Sequence, residues 1–219
     1  MFSHLDTYTR PEPQNSALVT IDLQNDFCLP GAPAEGEGAL KAAEQAALAV
    51  NLYRELGLPI FHVIRLYSLE QGAETVDVCR REAVEAGTPL LAPDSDGAQP
   101  VKSLLPEGVR LAPARLFSGE PQIISNNECI LYKPRWGCFH ETRLHDLLQQ
   151  RSITTLAVTG TWFSNCVRTT IYEATARDYR VVALRDAIAG IYPRGEEDIR
   201  KIKCGVCSCD EWAEILTQN

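Results

Sequence analysis

Short apolar runs alternate with stretches of helical periodicity along most of the chain. Residues 16–22 (SALVTID) read as a buried strand that ends on an acidic side chain. Residues 38–56 are rich in Ala, Leu, Glu and Gln and predict a helix, with Gly57 as its stop. Further strands are predicted over 58–66 (LPIFHVIRL), 128–133 (ECILYK), 154–159 (TTLAVT), 180–184 and 202–206. Helices are predicted over 139–151, 165–177 and 209–216. Ser208 and Glu211, three positions apart, have the spacing of a capping box for the last of these.

Strands alternating with helices of this length imply βαβ units and a mostly parallel, doubly wound sheet. Ligands in such sheets bind beyond the carboxyl ends of the strands. Asp22, Lys133 and the turn 160–166 each fall at or just after such an end, so all three should face one crevice. Residues 67–121 break the rhythm: they are rich in Pro and Gly, with one predicted helix over 76–86. Two readings of this excursion stand equally, a lid or specificity loop over the crevice, and a surface insertion or dimer contact.

Composition narrows the class. A chain of 219 residues buries roughly 70% of its unfolded surface, and so needs neither disulfides nor a structural metal. The formal charge of −8, from 29 acidic and 21 basic residues, argues against nucleic acid or an anionic membrane as partner. No run approaches the ~20 apolar residues of a membrane span. The opening MFSHLDTYTR lacks the apolar core of a signal peptide. A cytoplasmic location is therefore expected, with the eight cysteines reduced.

The turn Gly160-Thr161-Trp162-Phe163-Ser164-Asn165-Cys166 concentrates the chemistry. A thiol at a helix start meets the positive end of the helix dipole, and a nearby lysine pushes the same way, toward thiolate. The unpartnered N–H groups of a first helical turn can hold a developing oxyanion. An acidic residue on a neighbouring strand end can shuttle protons. Taken alone, Cys166 reads equally well as a packing cysteine.

Three blocks in order, ALVTIDLQNDF, ILYKPRWGCF and LAVTGTWFSNCVRTTIYEA, change that balance. Together they resemble the isochorismatase-like cysteine hydrolases, a family that includes nicotinamidases, N-carbamoylsarcosine amidases and ureidoacrylate amidohydrolases. The resemblance covers nearly the whole chain. It implies a single-domain, Rossmann-like or flavodoxin-like three-layer α/β fold over residues 1–219. It also implies an Asp-Lys-Cys triad at Asp22, Lys133 and Cys166, and a cis peptide between Thr161 and Trp162. The backbone N–H groups of Trp162 and Cys166 would form the oxyanion hole. Many relatives carry a small residue where this chain has Trp162. The implied reaction is hydrolysis of an amide, ureido or lactam C–N bond of a small molecule through a thioester, without a cofactor, in a homo-oligomer.

Absences sharpen the resemblance. Nicotinamidases bind a metal through an Asp-x-His pair near the end of the second strand. Here that stretch reads Val63-Ile64-Arg65-Leu66-Tyr67, and no histidine follows before His140, so no metal is expected. Isochorismate-cleaving relatives often lack the cysteine, so retention of Cys166 favours C–N cleavage. Vinyl-ether hydrolysis and a non-catalytic binding or scaffold role remain the alternatives. The segment HVIRLYSLEQGAETVDVCRRE is similar to a less characterised branch that includes lactam-opening enzymes. Phe27, Arg65, Tyr67, Arg135, Trp136 and Trp162 are the candidates for contacting substrate, with Phe163 as a further wall residue. Arg135 is able to bind a carboxylate bidentately or to pair with a nearby acid.

Other motifs are set aside. Cys204, Cys207 and Cys209 have no second Cys or His pair near them to complete a zinc site. There is no phosphate-binding P-loop and no Gly-x-Ser-x-Gly elbow. Six positions after Cys166, where a cysteine phosphatase needs Arg, stands Tyr172.

Overall fold

The predicted alternation folds as a single α/β domain in a computed structural model that describes residues 2–218. Its elements run β1 (Ser16–Ile21), α1 (Asn25–Cys28), α2 (Ala39–Glu55), β2 (Ile60–Ile64), α3 (Val78–Glu85) and α4 (Pro113–Phe117). They continue with β3 (Gln122–Ser125), β4 (Glu128–Tyr132), α5 (Leu144–Gln150), β5 (Thr155–Gly160), α6 (Arg168–Thr175), β6 (Arg180–Ile188), α7 (Pro193–Lys201), β7 (Gly205–Cys207) and α8 (Cys209–Thr217). The sheet order is β3-β4-β2-β1-β5-β6-β7, parallel except where β3 meets β4.

Every residue of β1, β2 and β5 is buried, because helices cover both faces of the sheet. Side chains still alternate between the two layers. Leu18, Ala157 and Val182 pack on one side with Tyr53 of α2 and Trp212 of α8. Val19, Val158 and Val181 pack on the other with Leu147, Ile171 and Ile199 of α5, α6 and α7. The Trp212 indole N–H donates to the Tyr53 hydroxyl at 3.0 Å, so the polar tips of these buried rings are matched.

At the opposite end of the sheet from the crevice, Glu128 accepts from Arg54 at 2.6 Å and contacts His62 Nε2 at 2.9 Å. Burial works against its charge, but these two partners hold Glu128 down to about 2. His62 is therefore a buried structural residue at a strand junction.

Several boundaries differ from the sequence expectation. The antiparallel strand β3 was not predicted: it is a four-residue edge strand whose faces are only half covered. Helix α7 was not predicted either, since Gly195 and Ile199 are its only buried residues. The i,i+4 pairs Arg194–Asp198, Glu196–Arg200 and Glu197–Lys201 lie along it instead. The helix expected from 139 begins at Leu144, and β7 starts at Gly205 rather than 202. The capping box is present: Ser208 accepts from the Glu211 N–H, and Glu211 accepts from the Ser208 N–H. Among the described residues no helix is long and apolar enough to cross a membrane.

Seven cysteines are buried: Cys28, Cys129, Cys138, Cys166, Cys204, Cys207 and Cys209. Burial pushes the thiols of Cys28, Cys129, Cys138, Cys204 and Cys207 up to about 12. A thiol held protonated in the fold stabilises it fully below the unfolded-state value of 9.0, and that contribution is lost as pH rises above it. The melting temperature is thus expected to hold level from neutral pH to about pH 8.5 and then fall steadily. Calorimetry across that range checks it, and a level profile to the alkaline extreme would contradict it.

Candidate active site

The connectivity turns direction beside β1. From β1 the chain moves outward to β2 and β4 on one side, then returns to β5 and continues to β6 and β7 on the other. The carboxyl ends of β4, β2, β1 and β5 are therefore adjacent, and each delivers one chemical group: Lys133, Arg65, Asp22 and the turn that carries Cys166.

Backbone contacts set these positions closely. The Lys133 N–H donates to Ile64 O at 3.0 Å and the Asp22 N–H to Val63 O at 2.9 Å, so both residues continue the sheet's ladder past its strands. Asp22 then takes a left-handed conformation, with φ of 52°, which turns the chain out of the sheet. Gly160 has φ of 141°, and a Cβ there would lie 2.3 Å from Ile21 O. Only glycine lets β5 pass this close to β1. Beyond it, Thr161 ties the turn to Asp22, its hydroxyl donating to Asp22 O at 2.8 Å. The Thr161–Trp162 peptide is cis. The unpredicted extension of β6 to Ile188 supports the same turn. Ala189 N–H donates to Gly160 O at 3.0 Å, and Phe163 N–H donates to Ala189 O at 2.9 Å.

Residues Phe163–Val167 form a wide π turn before regular α6 begins. Cys166 lies within this turn rather than at the start of a regular helix. The Lys133 ammonium stands between the other two groups, 2.7 Å from Asp22 Oδ2 and 3.4 Å from Cys166 Sγ. Its third partner is Arg135 O at 3.3 Å. Lys133, Asp22 and Cys166 are all buried, Lys133 completely. Burial works against the ammonium, yet Asp22 and Cys166 raise its pKa above the ordinary lysine value. Asp22 Oδ1 has no hydrogen-bond partner among the described residues.

Groups around the sulfur oppose the pull toward thiolate expected from the sequence. Burial first, and then Asp22, push the Cys166 thiol well above the ordinary cysteine range, against an opposing pull from Lys133 and Arg65. Of the two N–H groups expected to meet an oxyanion, that of Trp162 has no acceptor among the described residues. That of Cys166 donates to Asn165 Oδ1 at 2.8 Å.

A narrow cleft over the sulfur is lined by Phe27, Arg65, Tyr67, Trp136 and Trp162 among the sequence candidates. Its free volume is about 20 Å³, close to what one water molecule needs. The Trp162 ring fits because position 36 is glycine: a Cβ there would lie 1.4 Å from the ring. Arg135 does not join the cleft. Its guanidinium turns outward onto the carbonyls of Glu74 and Pro134. Phe163 lies in the core against Tyr192, with ring centroids 5.6 Å apart. The cleft also gains Asp77, Cys79 and Arg80 from the start of α3, so the excursion over 67–121 supplies part of its wall. Sequence reasoning passed over these residues, although Asp77 and Arg80 lie in the segment VDVCRRE noted there. Larger hollows lie elsewhere on the surface, lined by neither Asp22 nor Cys166. Among the described residues no three His, Cys, Asp or Glu side chains gather as a metal site would require.

Comparison with known proteins agrees with this fold. The family model "Isochorismatase domain" matches residues 16–203. A "probable inactive nicotinamidase" from Arabidopsis thaliana is 29% identical over 210 residues, 93% of this chain and 97% of that one. Maleamate amidohydrolase from Pseudomonas putida is 28% identical over 172 residues, 78% of this chain and 71% of that one. The crystal structure of an isochorismatase family protein from Desulfovibrio vulgaris superposes with a TM-score of 0.77 at 29% identity, covering 93% of this chain and 99% of the other.

Two measurements test the electrostatics. Lys133→Met leaves Asp22 buried without a counter-charge and is expected to cost about 3–5 kcal/mol in urea unfolding. Adding Asp22→Asn should recover much of that loss, because the stranded charge is gone. Separately, thiolate absorbance compared between the native protein and Cys166→Ser should show no titration step near the ordinary thiol value of about 8.5. A step there would mean Lys133 outweighs burial and Asp22.

Proposed function

Because the chain belongs to the isochorismatase family of hydrolases, we propose that it is a cysteine-dependent amidohydrolase. It cleaves an amide, ureido or lactam C–N bond of a small molecule. The observation that carries this reading is the Lys133 ammonium bridging Asp22 Oδ2 and Cys166 Sγ at 2.7 and 3.4 Å inside a cleft. A buried lysine touching a carboxylate and a thiol at the mouth of a parallel sheet is hard to account for by packing alone.

Cys166 is the nucleophile, Asp22 the proton carrier and Lys133 the fixed cation. The unpartnered Asp22 Oδ1 takes the thiol proton as the sulfur attacks the substrate carbonyl carbon. Lys133 offsets the negative charge that appears on sulfur and keeps Oδ2 occupied, leaving Oδ1 for the proton. The carbonyl oxygen becomes an oxyanion and takes the Trp162 N–H. The Cys166 N–H joins once Asn165 Oδ1 releases it. As the intermediate collapses, the C–N bond breaks and Asp22 returns its proton to the leaving nitrogen, giving a thioester and ammonia or an amine. Asp22 next takes a proton from water. The hydroxide adds to the thioester carbon, the C–S bond breaks, and the sulfur recovers the proton.

The maleamate amidohydrolase relative supports C–N hydrolysis as the reaction class. The Arabidopsis relative, described as inactive, gives a non-catalytic role its support. Turnover separates them. Cys166→Ala and Asp22→Asn are each expected to lower amide hydrolysis by at least about 10³-fold; Cys166→Ala should keep the native circular dichroism and melting, whereas Asp22→Asn should melt lower because Lys133 loses its counter-charge. Ammonia or amine release from amides and ureides, and ring opening of lactams followed by mass spectrometry, are the measurements. Turnover that survives Cys166→Ala would remove the thioester from the mechanism, and inactivity of the native protein on the whole panel would favour the binding role.

A further inference from the structure

Arg65 is 1% exposed and lines the cleft beside Cys166. Its Nη2 lies 2.8 Å from Asp77 Oδ2, an ion pair whose angles fall short of a hydrogen bond. Nε, Nη1 and Nη2 all lack a hydrogen-bonded acceptor among the described residues. Buried guanidinium donors left open in this way mark a place where something else binds. The surroundings hold the group in place. Gln24 grips the Arg65 backbone from both sides, accepting from its N–H at 2.9 Å and donating to its carbonyl at 2.8 Å. The Tyr67 ring lies 5.1 Å from the guanidinium carbon. Tyr67 also donates its hydroxyl to Asp77 Oδ2 at 2.8 Å, so the oxygen nearest Arg65 is already shared.

The charge count points the same way. Lys133, Arg65 and Arg80 bring positive charge to the cleft and its floor, against Asp22 and Asp77. Asp22 is taken up by Lys133, and Arg80 makes no side-chain hydrogen bond or ion pair among the described residues. One positive charge is left over at the cleft of a protein whose net charge is −8. With Lys133 paired to Asp22 and Arg65 to Asp77, the surplus charge is that of half-buried Arg80, and it favours an anion approaching the open Arg65 donors. A carboxylate is planar and matches the guanidinium fork.

Resting on the amidohydrolase reading, we propose that the substrate carries a carboxylate, which Arg65 binds while the scissile carbonyl faces Cys166. Asp77 and Tyr67 are positioning residues for that guanidinium. Arg80, at the mouth, draws the anion in.

Alkylation of Cys166, followed by peptide mass spectrometry, tests this without knowledge of the substrate. Free thiols react faster with neutral iodoacetamide than with anionic iodoacetate. Cys166 in the native protein is expected to reverse that order, and malonate, but not malonamide, should slow its labelling by iodoacetamide. Arg65→Met should restore the ordinary order through a roughly ten- to hundredfold loss of preference for iodoacetate, with Arg65→Lys in between. Should Arg65→Met fail to fold, protection of the native protein by malonate decides. Iodoacetamide preferred in native protein and variant alike, with no protection by malonate, would overturn the carboxylate subsite while leaving the nucleophile intact. Labelling of Cys166 by neither reagent would overturn the subsite, since no preference for an anion is then present, and the nucleophile assignment falls with it only if turnover survives Cys166→Ala.

Discussion

The site is organised around a completely buried ammonium. Lys133 is shielded from bulk solvent, so its charge depends on Asp22 Oδ2, Arg135 O and Cys166 Sγ around it. That requirement couples elements far apart in sequence. β4 must end beside β2, β2 beside β1, and β1 beside β5, or the cation is stranded. The same coupling shapes the chemistry. With Oδ2 committed to Lys133, Asp22 has one oxygen left, and it has no other partner.

The scaffold secures these positions mainly through backbone. Gly160 permits β5 to approach β1 where any side chain would strike Ile21 O. The extension of β6 beyond its expected end supplies the hydrogen bonds that hold the following turn. Gly36 leaves room for the Trp162 ring over the cleft. Each is a case of a small residue or an extra ladder bond determining where a large functional group can stand.

Charge is distributed against the average. An acidic chain gathers Lys133, Arg65 and Arg80 at one sheet edge, and the excursion contributes Asp77 and Arg80 to the wall facing the sulfur. Global charge describes the long-range field, whereas the cleft's preference follows from groups a few ångströms apart and shielded from solvent. The raised pKa of Cys166 has the same origin, because burial and a neighbouring carboxylate outweigh the nearby cations.

Periodicity alone was enough to place β1, β2, β4 and β5 and the helices that cover them, since fully buried strands and amphipathic helices write their surroundings into composition. It also put Asp22, Lys133 and Cys166 at strand ends, and the resemblance of three short blocks grouped them before any coordinate was known. Edge strand β3 and helix α7 were not legible, because their few buried residues leave little hydrophobic pattern. The raised pKa of the Cys166 thiol, the outward turn of Arg135 and the open donors of Arg65 were likewise decided only by tertiary structure. All three depend on which groups from distant segments meet in space, and a one-dimensional pattern does not record that.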